Sequence, residues 1–140
     1  PTNPTNPTDP TNPTNPTPQQ LLVGTWKMFA IDILISYQGQ VLENGSEEIP
    51  EGQQSVFVFS ANGDLQITQF NEETQQFETL SGNYTFNTQN NSILCTVDGQ
   101  QLPFNVTLLN TTNLSLRTQI QEEFEGMLLD LDLTTKFIRQ

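Results

Sequence analysis

From Trp26 to Ile138 the apolar residues recur mostly at every second position, and the runs are broken by clusters of Gly, Asn, Asp, Ser and Thr. A period of two places alternate side chains on opposite faces of a strand, whereas a helix would need an apolar stripe at i, i+3 and i+4, which no stretch of about ten residues sustains. The chain is therefore expected to be all-β, with strands over 25–36, 55–60, 65–70, 77–87, 92–97, 101–109, 112–118 and 128–138. The last is the clearest: Leu129, Leu131, Leu133 and Phe137 fall on one face, and Asp130, Asp132, Thr134 and Lys136 on the other. Ala61-Asn62-Gly63-Asp64 and Asp98-Gly99 carry the turn chemistry of tight hairpins. Gly82, in the middle of a strand, marks a bulge or sharp bend.

Eight sequential strands with short connections favour an antiparallel up-and-down meander. Pairing the first strand with the last would close it into a barrel and remove both exposed edges. A two-layer sandwich answers the same pattern, because periodicity does not say which strands pair.

Residues 1–18 stand apart. They repeat Pro-Thr-Asn with period three, Asp9 replacing one asparagine, and contain no apolar side chain other than proline. Such a tract cannot join a core, and proline at every third position favours extended polyproline II geometry at ~3.1 Å per residue. The expected organisation is a disordered Pro/Thr/Asn linker over 1–18 and one domain over 19–140. No signal peptide opens the chain. On this reading one has been removed, and a lipidated cysteine ahead of Pro1 would tether the domain to a bacterial membrane.

Several function classes are disfavoured by composition. Sixteen acids against four bases (Lys27, Arg117, Lys136 and Arg139) give a formal charge of −12, which repels phosphate backbones and anionic membrane surfaces. Without histidine there is no Ser-His-Asp or Cys-His nucleophile, and no phosphate-binding glycine loop occurs. Cys95 is the only cysteine, so no intrachain disulfide forms, and its place between Ile93 and Val97 on one strand face suggests a small buried hydrophobe. The expectation is a non-enzymatic protein without cofactor or structural metal.

Gly24-Thr25-Trp26-Lys27 resembles the Gly-x-Trp opening of the lipocalins and related calycin barrels. The run Phe57-Val58-Phe59-Ser60-Ala61-Asn62-Gly63-Asp64, then Gly82-Asn83-Tyr84, Leu114-Ser115-Leu116 and Phe137-Ile138-Arg139 resemble, in order over 21–139, the lipocalin-like domains of Bacteroidales-type bacterial lipoproteins. The resemblance implies an eight-stranded lipocalin-like barrel on an extracytoplasmic protein, secreted or lipid-anchored in the envelope or on the cell surface. It also implies that Trp26 sits at the closed end with Arg139 packed across it. Asn110-Thr111-Thr112-Asn113 departs from the Thr-Asp-Tyr loop of the kernel lipocalins, so receptor binding through that loop is not implied.

In an up-and-down barrel alternate connections share an end. One end collects Glu43, Glu47, Glu48, Glu51, Glu72, Glu73, Asp98, Glu122, Glu123 and Glu125, ten of the sixteen acids, and the other holds only Asp64 among its connections. The acidic end is the expected mouth, with Tyr37, Leu42, Glu47, Glu48, Ile49, Glu72, Glu73, Glu122 and Glu123 in its loops. The long connection 37–54 is expected to fold over it as a lid. Phe57, Phe59, Tyr84, Phe86, Phe104, Leu131 and Phe137 are the expected lining of the interior. The expected function is binding of a small apolar or amphiphilic molecule, neutral or cationic, with a divalent cation as a weak occupant of the acidic loops, by a monomer. The alternative is a filled barrel or sandwich serving as a protein-interaction or structural surface module without a ligand.

Overall fold

The structure, a computed structural model, describes residues 16–140. The linker expected over 1–18 therefore lies, for 1–15, outside the described residues. A short helix α1 (Pro18–Leu22) comes first, with Thr17 and Gln20 forming a reciprocal capping box and Pro18 in the first turn. Nine strands follow among the described residues: β1 (Gly24–Tyr37), β2 (Gln40–Glu48), β3 (Val56–Phe59), β4 (Asp64–Asn71), β5 (Gln76–Asn87), β6 (Ser92–Val97), β7 (Gln100–Leu109), β8 (Asn113–Phe124) and β9 (Met127–Arg139).

All pairings are antiparallel, and β1 meets β9 from Arg139↔Trp26 to Asp130↔Ser36. Eight strands, β1 and β3–β9, thus form a closed antiparallel ring, and the sandwich alternative falls away. The ninth, β2, is the correction to the lid expectation: residues 40–48 are not a loop over the mouth but a strand running back along β1, Ala30↔Glu48 to Tyr37↔Gln40. The cause is a two-residue turn with Gln38 at φ 50° and Gly39 at φ 82°, the positive-φ pair whose twist matches flanking strands. Glu125 (φ 52°) and Gly126 (φ 80°) make the same kind of turn, so Glu122 and Glu123 lie in β8 opposite Leu129 and Leu128 and not in a loop.

The ring is complete only in its lower half. Strand β1 pairs β3 through Gly24–Lys27 and then β2 higher up. On the other side of the ring, β7 pairs β8 only through residues 105–109, so among the described residues β8 above Arg117 has β9 as its only partner. Pro103 explains that splay. Val106 donates its N–H to Asn91 O on the β6 side, so alternation turns residues 105 and 103 toward β8, where proline has no N–H to offer.

The core sits in the lower half. Trp26, Phe57, Phe59, Leu65, Tyr84, Ile93, Cys95, Leu114, Leu116 and Phe137 are buried there with Leu22 of α1. Apolar side chains thus fill the inside and polar ones cover most of the outside, the reverse of a membrane-spanning barrel with its lipid-facing apolar belt.

Candidate functional site

The base of the barrel is sealed by residues from both chain ends. Trp26 is fully buried and donates its indole N–H to Leu22 O at 2.8 Å, which draws α1 beneath the barrel. The Arg139 guanidinium lies 4.3 Å from the Trp26 ring centroid. It also donates to three backbone carbonyls: Thr111 O at 2.8 Å, Val23 O at 3.1 Å and Leu21 O. A guanidinium so placed holds the helix, the last strand and the β7–β8 turn together without any carboxylate. Gly24 leaves room for it, since a Cβ there would overlap the guanidinium. Tyr84 joins the same floor, donating to Ser60 O at 2.6 Å and accepting from Gln19 at 3.0 Å, and burial pushes its phenol above the ordinary value.

Above this floor the interior is solid. The Phe57 and Phe137 rings meet at 4.9 Å and those of Phe59 and Tyr84 at 5.0 Å, both edge to face, the geometry that aromatic quadrupoles favour. Phe86 and Phe104 are partly buried against the same cluster. Six of the seven expected lining residues therefore pack on one another, and of these Phe86 also borders open grooves, one with Leu94 and one with Leu21 and Val106. The reason is size: a ring of eight strands has room for its own side chains or for one small ligand, and these are large rings. Cys95 is sealed among them, its thiol pushed up to about 12 by burial, and is inert.

The seventh, Leu131, belongs to a different region. It shares an inward face with Leu129 and Leu133 on β9 and is paired with Ile35, as Leu133 is with Ile33. Ile31, Ile33, Ile35, Leu129, Leu131 and Leu133 are all only half-buried. Ile120 extends this surface on β8 and is 40% exposed, and Leu102, facing inward on β7 opposite Cys95, is 38% exposed. The residues on β1, β9 and β8 form an apolar wall that rises from the core into the open upper half, and Leu102 lies across the gap from it. The sequence reading took only Leu131 from it; the Ile31-x-Ile33-x-Ile35 alternation was the signal for the rest.

The opposite face of the same sheet is polar and internally satisfied. Arg117 holds Asp132 through two hydrogen bonds of 2.9 and 2.6 Å, Lys136 lies 3.2 Å from Asp32, Ser46 donates to Asp32 at 2.5 Å, and Gln121 to Asp130 at 2.8 Å. Arg117 holds the Asp132 carboxyl below its ordinary value, and Ser46, then Lys136, do so for Asp32. An open groove of about 600 Å³ crosses this level over Leu34, Ser36, Gln119, Ile120, Gln121, Asp130, Leu131 and Asp132. Its Ile120 and Leu131 belong to the apolar wall, while its carboxylates, Asp130 and Asp132, are already held by Gln121 and Arg117.

Acids ring the apolar wall. Glu43 and Glu47 of β2 and Glu122 of β8 pair with inward-facing Ile35, Ile31 and Leu129, and so share their face. Glu72 and Glu73 lie in the β4–β5 turn and Asp98 in the β6–β7 turn. All four cations lie elsewhere: Arg139 at the floor, Lys27 beside the lower end of β9, and Arg117 and Lys136 paired on the outer face. Tyr37 and Leu42 sit at the tip of the β1–β2 hairpin, and Glu48 and Ile49 at its far end, where Ile49 donates to Phe29 O. Among the described residues no three carboxylates or thiols converge, so the expected divalent cation lacks a ligand set.

No protein-family model matches the chain, and no curated protein matches it. Among solved structures, a complex of bovine odorant binding protein with a selenium-containing odorant is similar over 97% of this chain and 77% of that one, with a TM-score of 0.49 and 16% identity. The attachment invasion locus protein Ail of Yersinia pestis is similar over 85% of this chain and 100% of that one, with a TM-score of 0.40 and 9% identity. Likeness at this level concerns the antiparallel barrel alone and carries no argument about a ligand.

Proposed function

We propose that the chain binds, without catalysis, a small apolar or amphiphilic molecule, neutral or cationic, against the isoleucine-leucine wall in the open upper half of the barrel. One observation carries this reading: the wall is continuous with the core yet half-exposed, on a sheet whose other face carries the Arg117–Asp132, Lys136–Asp32 and Gln121–Asp130 pairs. Covering such a surface contributes roughly 25 cal/mol per Å² of apolar area removed from water. The rim supplies the selectivity. With glutamates on the inward face and every cation placed elsewhere, it repels a carboxylate and attracts an amine. The packed lower half supports the rival, ligand-free reading only for that half.

The setting proposed with it is a secreted or lipid-anchored bacterial protein outside the cytoplasm. The Pro-Thr-Asn tract joins the domain at its floor, so the acidic mouth would face away from an anchored membrane. Mass spectrometry of the native protein that finds no lipid-modified cysteine ahead of Pro1 counts against the anchor.

The binding test is a titration with the neutral dye N-phenyl-1-naphthylamine, followed by displacement at low salt. Dodecyltrimethylammonium is expected to displace the dye at lower concentration than dodecanoate. Ile33→Asp is expected to abolish uptake while moving stability by no more than about 1 kcal/mol, as befits a half-exposed site. Uptake unchanged in Ile33→Asp, or equal displacement by the two detergents, overturns the reading.

A further inference from the structure

Strand β2 has a neighbour on one side only. It pairs β1, and no other described strand lies against its outer edge. The Ile49 N–H donated to Phe29 O fixes the alternation: residues 43, 45 and 47 turn their backbone groups to β1, and Asn44, Ser46 and Glu48 turn theirs outward, unpaired among the described residues. Across the gap β4 pairs β3 only as far as Thr68, so its backbone over 69–71 is also open on this side. An open groove of about 240 Å³ lies between the two, with Glu47, Ile49, Phe70 and Glu72 among its walls. In its upper half β2 takes the place that β3 holds below, but it makes no pairing with β4 among the described residues, so the barrel wall is unzipped there.

We propose that this slot receives an extended, cationic segment of a partner protein, which adds to the free edge of β2 as a strand. Main-chain hydrogen bonds to Asn44, Ser46 and Glu48 would supply affinity, and alternate side chains would supply specificity. The charge of the partner follows from the slot. Glu43, Glu47 and Glu48 lie on β2 and Glu72 across from it, with no cation among them.

Two other occupants fail on the same physics. A second copy pairing β2 with β2 would set three glutamates against three, and like charges directly opposite each other destabilise a ladder. The chain's own residues 1–15 have proline at every third position and one charge, Asp9, so they lack both the ladder donors and the complementary sign. The glutamates thus keep the edge from joining its own kind while leaving it open to a basic strand. This inference shares Glu43 and Glu47 with the small-molecule reading and adds the outward backbone of β2, which that reading does not use, so Asn44→Pro tests the edge apart from the wall.

The test uses the whole chain and a fluorescent peptide of about ten residues alternating lysine and threonine, read by anisotropy. Binding is expected, weakening at least roughly tenfold when salt is raised to about 0.5 M. The same peptide with alternate amides N-methylated, and its glutamate counterpart, are expected not to bind. Asn44→Pro removes one outward N–H and keeps every acid, and should weaken binding about tenfold. The combined Glu43→Gln, Glu47→Gln, Glu48→Gln variant should do the same without touching the backbone, so the two decide the matter even if one folds poorly. Failure of the lysine peptide to bind overturns the proposal. Equal binding of the N-methylated peptide overturns it in favour of plain electrostatic adhesion. A dimer at neutral pH that Asn44→Pro dissolves assigns the edge to a second copy, and binding that appears only when 1–15 are removed assigns it to the tail.

Discussion

The lower and upper halves of this barrel are written in one alternating pattern and end in opposite states. On β9, Phe137 and Leu131 share a face three intervals apart, yet the first is fully buried and the second half-exposed. On β1, Trp26 and Ile33 differ in the same way. Alternation decides which way a side chain points, but whether it becomes dry depends on neighbours across the ring. Below, eight strands and α1 surround the inward side chains. Above, β2, β1, β9 and β8 stand as a four-stranded wall, cut off from β7 by Pro103 and from β4 by the absence of a β2–β4 pairing among the described residues. A folding pattern that would merely make a core has left an accessible apolar surface where closure stops.

The sharpest way to break that contrast is to remove the base. Trp26→Ala should cost on the order of 3–5 kcal/mol in chemical denaturation, because it empties the most buried position and leaves Leu22 O and Arg139 without the indole. Leu131→Ala, one removed side chain in the upper half, should cost well under half of that. Equal losses would mean that the two halves are packed alike. Next in size is Gly82→Ala. A Cβ at Gly82 would overlap the Thr96 carbonyl on β6, so β5 and β6 must separate where the lower ring is tightest. A loss of about 1–3 kcal/mol is expected from such overpacking, read as a drop in thermal midpoint.

The sequence was legible where turn chemistry and periodicity agree. Asp98-Gly99 was readable as a hairpin because aspartate and glycine both favour positive φ, and Asp98 adopts 52°. Gln38-Gly39 and Glu125-Gly126 adopt the same geometry without an Asn or Asp to announce it, so in the sequence β2 and the upper part of β8 look like loop, and the expected lid is a strand in the fold. Trp26 and Arg139 were legible as neighbours because closing a meander sets the start of the first strand beside the end of the last. The three carbonyls that Arg139 reaches were not, since two of them belong to α1 and its exit, and five helical residues leave no periodic signal. The expected lining was right in direction and wrong in consequence: parity shows that Phe57 and Phe59 point inward, but not that the rings fill the space.

Pro103 is the residue that opens one side of the upper half, and replacing it sharpens the comparison. Pro103→Val restores an N–H aimed at β8, opposite Gln119 in the extended register. One added ladder hydrogen bond is worth about 1 kcal/mol at most. The variant should gain that much or less in stability, protect the amides near 103 and 119 from hydrogen exchange, and reduce dye uptake by narrowing access to Ile120 and Leu102. Unaltered exchange would mean that something other than the missing donor holds the strands apart.

The smallest effect is confined to the outer face of the upper wall and is read through pH. The Arg117 guanidinium holds Asp132 below the ordinary carboxylate value of 3.8, and the Ser46 hydroxyl with Lys136 does the same for Asp32. A carboxylate depressed in the folded state stabilises the fold at pH above its unfolded value and gives that up as pH falls through the folded one. The stability gap between the parent and Asp132→Asn should therefore be present at neutral pH, begin to shrink below about pH 4 and vanish as pH falls through the lowered folded-state value. Both pairs are substantially solvent-exposed, so about 1 M salt should shrink the gap as well. Because the wall can loosen without the base, hydrogen exchange should quicken at Leu131 to Leu133 in acid before it quickens at Trp26 or Leu114. Simultaneous loss of protection at both places would show that the open half and the sealed half unfold as one unit.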